Sequence, residues 1–591
     1  MNGEKKKTPN KLIFFVLILT LLEFLSQYVF IEHIYTVDRQ EKELGALATI
    51  DDSNTSPIII QCSYRHHFRN ASKSVNIKSS PPISYAGYYQ SIPLRSISYM
   101  DHTPIIIDGN VDFLSQAASE GWSGAGTFTD PILITGYKIT NNSGLLLQIR
   151  NTNSYFKLSN NLFDGKGDIH EVGLRFENVS HGIIHDNFIT NFRGRLGSEG
   201  ARVGGAATGI YLANTFQLVF DNNIIIDITG GSGEDYSGQT GGAATGINIT
   251  TSTMLTFNNN KISTIKGGSP GARIAGGCAG GPATGIDITD SNQLTFSNNT
   301  IKNIWGKNGD SGDSLSPGGS GGDGIGIFLK ETDNVTFEDN RFDYISGGLT
   351  GDGRYYGYRG DSIGLFLINT KRITVKENNF FDISGVGISL KDSYQGTIQT
   401  NHIYNHNGRN GLRGQAGENI VGIQLKDAGS YTLSGNNITN MKGGDGGAYG
   451  RMDPGNGGNA IGISLLNSEY NEICNNSISY IIGGNGGDGD TLKQSGNGGN
   501  GIGIALKDTG WNTIYNNIIL DCFGGKSGSG SPSGSDGQGI AISSPSSTDK
   551  ISNNIGYNYN TTNFDPNTVI LLLTVLAIMV GITNRKRQKE T

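Results

Sequence analysis

The chain has 591 residues, a formal net charge of −7 and 89 glycines, about twice the glycine share of an average protein. Acidic and basic residues are mixed along the sequence, so there is no basic stripe for a nucleic-acid backbone and we expect no nucleic-acid partner. Four cysteines, Cys62, Cys278, Cys474 and Cys522, have unrelated positions and form no C-x-x-C pair, so the sequence indicates neither a disulfide framework nor a zinc site.

Residues 1–31 combine a lysine-rich start with an almost wholly apolar stretch from Leu12 to Ile31. This pattern is typical of an export signal or a signal anchor, and the stretch is long enough to span a bilayer. The sequence leaves open whether the segment is cleaved or retained. Residues 32–103 lack any repeat and predict a linker or spacer.

Residues 104–146 predict an N-terminal cap followed by the first strands of the folded region. A solenoid needs a cover over the open apolar end of its first coil. The segment 110–126 can supply this cover as a short amphipathic element. Its apolar members are Phe113, Leu114, Ala117, Ala118 and Trp122.

Residues 147–560 consist of a repeat that is barest between Gly364 and Gly387, where it is 23 residues long. Apolar residues at offsets 1, 3 and 11 from the starting glycine alternate with polar ones, as in a strand with one buried face. This length and periodicity predict a parallel solenoid, with each position above its equivalent one coil earlier. Other copies carry glycine-rich insertions after offset 21, so we expect one decorated corner. The eleven copies start at Gly173, Gly209, Gly246, Gly285, Gly326, Gly364, Gly387, Gly422, Gly462, Gly503 and Gly539.

Offset 14 of the repeat is asparagine in every copy. In a solenoid this column becomes a ladder in which stacked side chains bond to one another and to the turn backbone, which satisfies polar groups at a tight bend. The predicted ladder consists of Asn187, Asn223, Asn260, Asn299, Asn340, Asn378, Asn401, Asn436, Asn476, Asn517 and Asn553.

The pattern G-I-x-I-x-[DN]-[ST]…T-F-x-N-N-x-I…I-x-G resembles the right-handed parallel β-helix repeat of pectate-lyase-like and NosD-like proteins, over residues 104–560. The implied fold class is all-β: a right-handed, single-stranded parallel β-helix of about 12–13 coils with glycine-rich insertions at one corner. Leucine-rich repeats have a similar length, but they need an outer segment for which Gly364–Gly387 has no room. The resemblance does not fix the function, since this fold carries lyases, hydrolases, epimerases, adhesins and accessory proteins.

The C-terminal end, like the N-terminal end, combines an apolar segment with a basic one. Residues 561–567 predict a short linker, 568–583 a transmembrane segment and 584–591 a basic cytoplasmic tail. Basic residues beyond both apolar segments fit the positive-inside rule. We therefore expect a membrane-anchored protein with the bulk of its chain outside the cell.

Offset 5 offers the candidate catalytic residues. Asp392 and Asp427 would stack in neighbouring coils about 4.8 Å apart, each after a lysine, Lys391 or Lys426. Two carboxylates this close can share a proton or hold a cation, which suits acid–base chemistry on a polysaccharide. The alternative is that this column accepts hydrogen bonds at a strand-ending turn, a role that Asp, Asn, Ser and Thr fill alike. The resemblance disfavours a hydrolase. Of the segments that mark pectin-degrading hydrolases, Asn-Thr-Asp, Gly-His-Gly and Arg-Ile-Lys are absent, and the only Asp-Asp, Asp51-Asp52, precedes the predicted fold.

One insertion differs from its neighbours in being rich in tyrosine and arginine. Aromatic rings and guanidinium groups on an exposed edge suit sugar stacking and carboxylate recognition, so this loop and two outward phenylalanines are a candidate glycan or partner site. The alternative is that the tyrosines pack down over the phenylalanines. The candidate residues are Arg354, Tyr355, Tyr356, Tyr358, Arg359, Phe328 and Phe366.

Other insertions resemble the Gly/Asp-rich calcium turns of secreted repeats, with Asp445, Asp488 and Asp490 as ligands. The nonapeptide register of such turns does not hold from loop to loop, which favours flexible or packed polyglycine-type loops instead. We expect no cofactor apart from this calcium candidate, and no other metal.

The sequence favours an exported, membrane-anchored β-helix surface protein with a structural, adhesive or glycan-binding role, and with glycans or other surface proteins as partners. The alternative is a polysaccharide-acting lyase or epimerase. Acids and a base converging in a cleft would favour the enzyme, whereas a smooth ladder would favour the display protein.

Overall fold

The structure is a computed structural model and describes a β-solenoid within residues 98–558. The predicted segments 1–31, 561–567, 568–583 and 584–591, and most of the linker, lie outside the described residues. No helix within the described part is long and apolar enough to cross a membrane. Between 98 and 558 the stretches left out are 142–143, 168, 199–202, 235–238, 272–275, 313–315, 354–355, 450–452, 491–492 and 544–547.

Each coil contributes one strand to each of three parallel sheets, which contain 14, 13 and 13 strands. Residues at equal offsets pair between coils, as Ile247 pairs with Ile286 and Ile286 with Ile327. The predicted fold class, an all-β parallel solenoid with one decorated corner, is confirmed. The first coil begins earlier than predicted, because a strand at Met100–His102 already pairs with Tyr137–Thr140.

Sheet B receives the chain at the start of each repeat. Its outer face carries the side chains at offset 2, among them Phe328 and Phe366. Its strands are Ile105–Asp108, Leu147–Thr152, Val172–Val179, Ala207–Ala213, Ala244–Thr250, Ala283–Thr289, Gly324–Lys330, Ser362–Ile368, Val386–Lys391, Ile420–Lys426, Ala460–Leu466, Gly501–Lys507 and Gly539–Ser543.

Sheet C follows sheet B in every coil and contains many of the shortest strands. Its strands are Ile132–Thr135, Phe156–Ser159, Gly182–His185, Val219–Asp221, Thr256–Asn258, Asn292–Ser297, Asp333–Glu338, Lys371–Lys376, Tyr394–Gln399, Gly429–Ser434, Glu472–Cys474, Thr513–Tyr515 and Lys550–Ser552.

Sheet A ends each coil and leads into the glycine-rich insertions. Its strands are Met100–His102, Tyr137–Thr140, Leu162–Asp164, Phe188–Arg193, Ile224–Thr229, Lys261–Lys266, Thr300–Trp305, Arg341–Ser346, Asn379–Ile383, His402–Tyr404, Asn437–Lys442, Ser477–Ile482, Ile518–Phe523 and Ile555–Asn558.

The apolar core runs along the inside of the solenoid as columns of equivalent side chains. Phe220, Phe257, Phe296 and Phe337 stack nearly parallel in successive coils, with ring centroids 4.9, 4.8 and 5.1 Å apart. These spacings match the separation of neighbouring strands. Each ring therefore keeps the register of the coils above and below it.

The asparagine column lies buried at the corner between sheets C and A. The Oδ1 atom of Asn340 accepts the backbone N–H (3.0 Å) and the side-chain Nδ2 (2.9 Å) of Asn299, whose Nδ2 also donates to the Phe257 carbonyl (2.8 Å). The same bonds recur from coil to coil and begin one coil before the predicted ladder, at Asn161. Each residue thus satisfies a backbone donor that the bend would otherwise leave buried without a partner.

The last predicted member of this ladder, Asn553, is out of register by one residue. Asn517 bonds instead to the Oδ1 atom of Asn554, at 2.9 Å from both its backbone N and its Nδ2. Asn553 has a φ of 53° and thus occupies the left-handed corner position that precedes the ladder in other coils. The final repeat therefore contains one more residue before this corner than the others do.

The cap helix, Asn110–Glu120, covers the N-terminal end of the core. It ends at Gly121, whose left-handed conformation (φ 71°) closes the last turn through a bond to the Ala117 carbonyl. Phe113 is fully buried and Trp122 nearly so. Of the other predicted apolar members, Ala117 is buried and Leu114 is exposed.

The glycine-rich insertions pack into a second layered structure, which we call the glycine array. Gly306, Gly309 and Gly312 donate their N–H groups to the Ser346, Leu349 and Asp352 carbonyls of the next coil, at 2.9, 2.9 and 2.6 Å. A bond at every third residue is the period of an extended polyproline-II chain, which has no internal hydrogen bonds and must bond to its neighbours.

The outgoing and returning limbs of the insertions are also bonded to each other. Gly242 donates to the Gly231 carbonyl, Gly268 to Gly242 and Gly281 to Gly268, at 2.8, 2.8 and 2.9 Å. A Cβ atom on Gly268 would lie 2.0 Å from the Gly231 carbonyl oxygen. The array therefore requires glycine because its chains touch backbone to backbone.

We predict that Gly268→Ala lowers the free energy of unfolding by about 1–3 kcal/mol, because the added methyl group overpacks the array. The neighbouring Ser269→Ala is the matched control and should change stability little, since Ser269 is only half-buried. Chemical denaturation and amide exchange of the array measure both variants. Equal stability of the two variants would contradict a close-packed array.

A fully buried histidine occupies a core position held by Ile383 one coil earlier and Met441 one coil later. Burial lowers the pKa of His406 to about 3, and neither ring nitrogen has a hydrogen-bond partner among the described residues. The unfolded chain, with an ordinary pKa near 6.5, therefore takes up a proton that the folded chain refuses.

We predict that this histidine makes the fold sensitive to acid. Between about pH 6.5 and pH 3 the wild-type protein should lose up to about 5 kcal/mol of stability that His406→Met retains. Denaturation midpoints measured from pH 8 to pH 4 test this. The two curves should diverge as the pH falls, and parallel curves would show that His406 does not titrate as described.

Candidate functional site

The glycine array is broken at one coil. The repeat Gly364–Gly387 has no insertion, so one layer is missing between the insertion at 347–361 and the insertion at 408–419. We call this missing layer the insertion gap. The structure places two arginines and a groove there.

Arg409 bridges the insertion gap with its guanidinium group. It donates to the Gly347 carbonyl at 2.5 Å and to the Gly360 carbonyl at 2.8 Å. One coil earlier the equivalent carbonyl, that of Gly322, accepts the backbone N–H of Gly348 at 2.7 Å. The guanidinium therefore replaces a backbone donor that the missing insertion would have supplied.

Arg409 is held by a two-pronged ion pair with Glu418, with distances of 2.6 and 2.7 Å. Both side chains are mostly buried, 13% and 15% exposed. Arg359 reaches across from the other side and donates to the carbonyls of Arg409 and Asn410 at 3.1 and 2.8 Å. The bridge is thus made in both directions.

A groove of about 570 Å³ opens beside the bridge, where sheet A meets the outgoing limbs of the insertions. Its wall includes Trp305 and Ser346, which end two strands of sheet A. Its side-chain lining is completed by Asn308, Leu349, Arg409, Asn410 and Leu412. The groove therefore combines an indole, two leucines and two carboxamides with one charged group.

An aromatic patch lies on the outer face of sheet A, on the strands next to the groove. It consists of Tyr344, Phe381, His402 and Tyr404. The ring centroids of Tyr344 and Phe381 are 5.4 Å apart, those of Phe381 and Tyr404 are 5.0 Å apart, and those of His402 and Tyr404 are 4.2 Å apart. These four rings form one continuous surface over three coils, with the insertion-free coil at its centre.

Two carboxyl groups lie in this surface. Asp343 is 3% exposed and its Oδ2 atom accepts a bond from Arg341 Nε at 2.5 Å, while its Oδ1 atom has no protein partner. Burial raises the pKa of Asp343, and Arg341 and Lys302 only partly oppose this. Burial and the charge of Asp343 also raise the pKa of Asp382.

Tyr344 and His402 are affected by the same surroundings. Burial, followed by the negative charges of Asp382 and Asp343, raises the pKa of Tyr344. Burial lowers the pKa of His402, which favours its neutral form at pH 7. The patch therefore presents neutral aromatic rings beside carboxyl groups that ionise less readily than usual.

The tyrosine- and arginine-rich loop lies at the edge of the insertion gap. Arg354 and Tyr355 lie outside the described residues. Tyr358 is 85% exposed, so it does not pack down over the phenylalanines, and Arg359 forms the bridge. The loop also includes the predicted candidate Tyr356. Phe328 and Phe366 lie on the outer face of sheet B with ring centroids 5.5 Å apart.

The candidate catalytic aspartates lie at corners instead of in a groove. Asp392 and Asp427 have φ values of 51° and 52°, in the left-handed region that all described members of this column share. Asp427 accepts a bond from Asn467 Nδ2 at 3.1 Å, and Lys391 lies 4.0 Å from Asp392. Lys426 is exposed. This geometry fits the alternative of a strand-ending turn.

The three calcium candidates belong to different rows of the array. Asp445 accepts the Asn485 N–H at 2.8 Å, and Asp488 accepts both the N–H and the hydroxyl of Ser529 at 2.8 and 2.7 Å. Hydrogen bonds from Ser529 lower the pKa of Asp488. Asp490 accepts the Lys493 N–H at 2.9 Å. Their oxygens serve the packing of the array.

Among the described residues, one cluster of three acidic side chains has the spacing of a possible metal site. Carboxylate oxygens of Glu338, Asp339 and Glu377 lie within 4.8 Å of one another on the surface of the solenoid. Lys376 forms an ion pair with Glu338 at 2.5 Å. This pairing compensates part of the cluster's charge without a metal.

The sequence contained a signal for the aromatic patch that the repeat alignment could have revealed. In the coils before the last, offset 17 is aromatic only at Phe381 and Tyr404, in the insertion-free coil and the coil after it. The aspartates at offset 5 are acidic and follow lysines in the sequence, so they predict a catalytic site more directly than offset 17 predicts a binding surface. The coincidence of a missing insertion with two outward aromatic rings marks the site.

Residues 109–307 and 240–449 match the model of the right handed beta helix region, so the chain belongs to this family. No curated protein sequence matches the chain.

Three solved structures to which the chain is similar differ strongly from it in sequence. The A-module of a mannuronan C-5 epimerase from Azotobacter vinelandii is 10% identical over 70% of this chain and 90% of its own, with a TM-score of 0.31. A surface adhesin of Streptococcus pneumoniae is 12% identical over 68% and 85%, with a TM-score of 0.26. The catalytic unit of an α-1,3-glucanase from Streptomyces thermodiastaticus is 9% identical over 77% and 67%, with a TM-score of 0.27. These likenesses reflect the fold alone.

We predict that Arg409→Met destabilises the insertions on both sides of the gap by about 2–4 kcal/mol, because it removes four charge-assisted bonds and leaves Glu418 without its partner. Amide exchange at Gly347 and Gly360 should rise. Arg413→Met, on the exposed part of the same insertion, is the control and should leave exchange unchanged. Protection that survives in Arg409→Met would exclude the bridging role.

Proposed function

We propose that this protein is an exported, membrane-anchored β-helix that binds glycans on the outer face of sheet A, beside the insertion gap. The observation that carries the proposal is the aromatic patch of Tyr344, Phe381, His402 and Tyr404, whose rings adjoin one another next to a groove. Flat aromatic surfaces that are held rigidly suit the stacking of sugar rings.

The parallel sheet adds a regular spacing to this chemistry. Equivalent side chains on neighbouring strands are about 4.8 Å apart, and the patch extends over three coils along the solenoid axis. Polar groups, among them Asp343 and Asn379, lie on the same face of the sheet as the rings. A surface of this kind suits an extended polymer better than a single small molecule.

The proposed location rests on the terminal segments. Residues 12–31 and 568–583 are apolar and each has basic neighbours on the side away from the solenoid. This arrangement supports anchoring in a membrane with the solenoid outside the cell. A glycan-binding surface protein is consistent with that position.

A polysaccharide-acting enzyme, a lyase or an epimerase, is the second candidate. It is favoured by Asp343 and Asp382, whose pKa values are raised in the same surface as Tyr344. Shifted carboxyl groups that cluster beside a groove are typical of acid–base sites as well as of structural networks. The test of binding can therefore include a test of turnover.

We predict that the full-length protein binds at least one polysaccharide on a glycan array and that the double variant Phe381→Ala/Tyr404→Ala binds it at least about tenfold more weakly, a loss of ~1.4 kcal/mol. The control Tyr470→Ala/Trp511→Ala removes two exposed aromatic residues elsewhere and should bind normally. Circular dichroism checks the folding of each variant.

Incubation with the bound polysaccharide, followed by assays for reducing ends, unsaturated products and epimerised units, separates the two candidates. Product that disappears in Asp343→Asn would establish the enzyme. Failure of every glycan to bind would refute the proposed function itself.

A further inference from the structure

The charge of the groove beside the insertion gap is already neutralised. Arg409 is the only charged side chain among its described lining residues. Its guanidinium group is bonded to both oxygens of Glu418 and to two backbone carbonyls. A ligand in the groove therefore meets no cation that lacks a counter-charge there.

The polar groups of the groove are carboxamides with a fixed orientation. The Oδ1 atom of Asn308 accepts the Leu349 N–H, and the Oδ1 atom of Asn410 accepts the Asp445 N–H, both at 2.8 Å. Each amide is thus anchored through its oxygen, and its NH₂ group is the remaining donor. Such donors suit the hydroxyl and ring oxygens of a sugar.

Trp305 supplies the largest apolar surface of the groove. The ammonium group of Lys266 lies 5.2 Å from the centre of the indole ring. Burial raises the pKa of Asp227, and the charge of Lys266 partly opposes this. Trp305 is 37% exposed and lines the groove, and an indole in such a position can stack on a sugar ring.

The adjoining patch contains two carboxyl groups and two buried acceptor oxygens that have no hydrogen-bond donor. Asp343 and Asp382 are two carboxyl groups in one surface. Arg341 is bonded to Asp343, and Lys302 pairs with Asp343 on the neighbouring strand. The Oδ1 atom of Asp343 has no donor, and neither has the Oδ1 atom of Asn379 on the next strand.

We propose that the groove and the aromatic patch bind a neutral glycan, a chain of hexose units without carboxylates, with one sugar stacked on Trp305. This inference rests on the proposed glycan binding and adds the class of ligand. A uronate chain would bring carboxylates toward Asp343 and Asp382, and it would find the guanidinium of Arg409 already paired.

The test uses the full-length protein and pairs of oligosaccharides of equal length and linkage that differ only at C6, such as mannan against mannuronan and glucan against glucuronan. We expect a neutral member to bind at least about tenfold more tightly than its uronate partner. Trp305→Ala should weaken that binding at least about tenfold, whereas the control Trp511→Ala should leave it unchanged.

A charge variant tests the specificity, and circular dichroism checks that it folds, because Arg409 and Glu418 are mostly buried. Glu418→Gln keeps a side-chain oxygen for Arg409 but removes the counter-charge, so uronate affinity should rise at least about threefold while neutral affinity holds. The exposed control Glu469→Gln should alter neither affinity.

The outcomes separate this inference from the function on which it rests. Tighter binding of uronates by the wild-type protein would overturn the neutral class and leave glycan binding in place. Neutral binding that survives Trp305→Ala but not Phe381→Ala/Tyr404→Ala would overturn the role of the groove alone. Absence of binding to every oligosaccharide would overturn both.

Discussion

The register between successive coils, one strand spacing apart, is the constraint on which the rest of the molecule depends. Because every position lies above its own equivalent, each side chain must pack against the equivalent side chain of the next coil. Asparagine fits the corner because its amide can donate to the coil before and after it. Phenylalanine fits the core because its rings stack at the strand separation, and glycine fits the array because nothing larger can repeat at that distance.

The candidate site arises where this regularity is interrupted. A missing insertion leaves backbone carbonyls of the neighbouring layers without backbone donors. The guanidinium groups of Arg409 and Arg359 donate to carbonyls across this gap instead. The same omission opens a groove beside sheet A. The aromatic residues at Phe381 and Tyr404 lie beside this opening, so structural repair and potential recognition share one place in the fold.

The sequence predicts the fold well because the repeat determines which residues pair between neighbouring coils. Offsets 1, 3 and 14 recur so regularly that the three sheets and the ladder follow from them, and the error at Asn553 comes from a single extra residue in the last coil. The site is harder to predict, because it is formed by residues of the coils on either side of the one that lacks an insertion. Asp392 and Asp427 are candidate acids in the sequence, and the structure places both at corners with a left-handed backbone. The burial of Asp343 beneath its neighbours follows only from the packed surface.

The glycine array gives the protein two kinds of stabilisation with different thermal behaviour. The solenoid core buries isoleucine, leucine and phenylalanine, and exposing such surface on unfolding raises the heat capacity. The array buries mainly peptide groups, and exposing these lowers the heat capacity. The two contributions oppose each other, which flattens the dependence of stability on temperature. Cooling weakens the contribution of the apolar core to stability. The hydrogen-bonded layers of the array do not share this loss, so they stabilise the solenoid at low temperature.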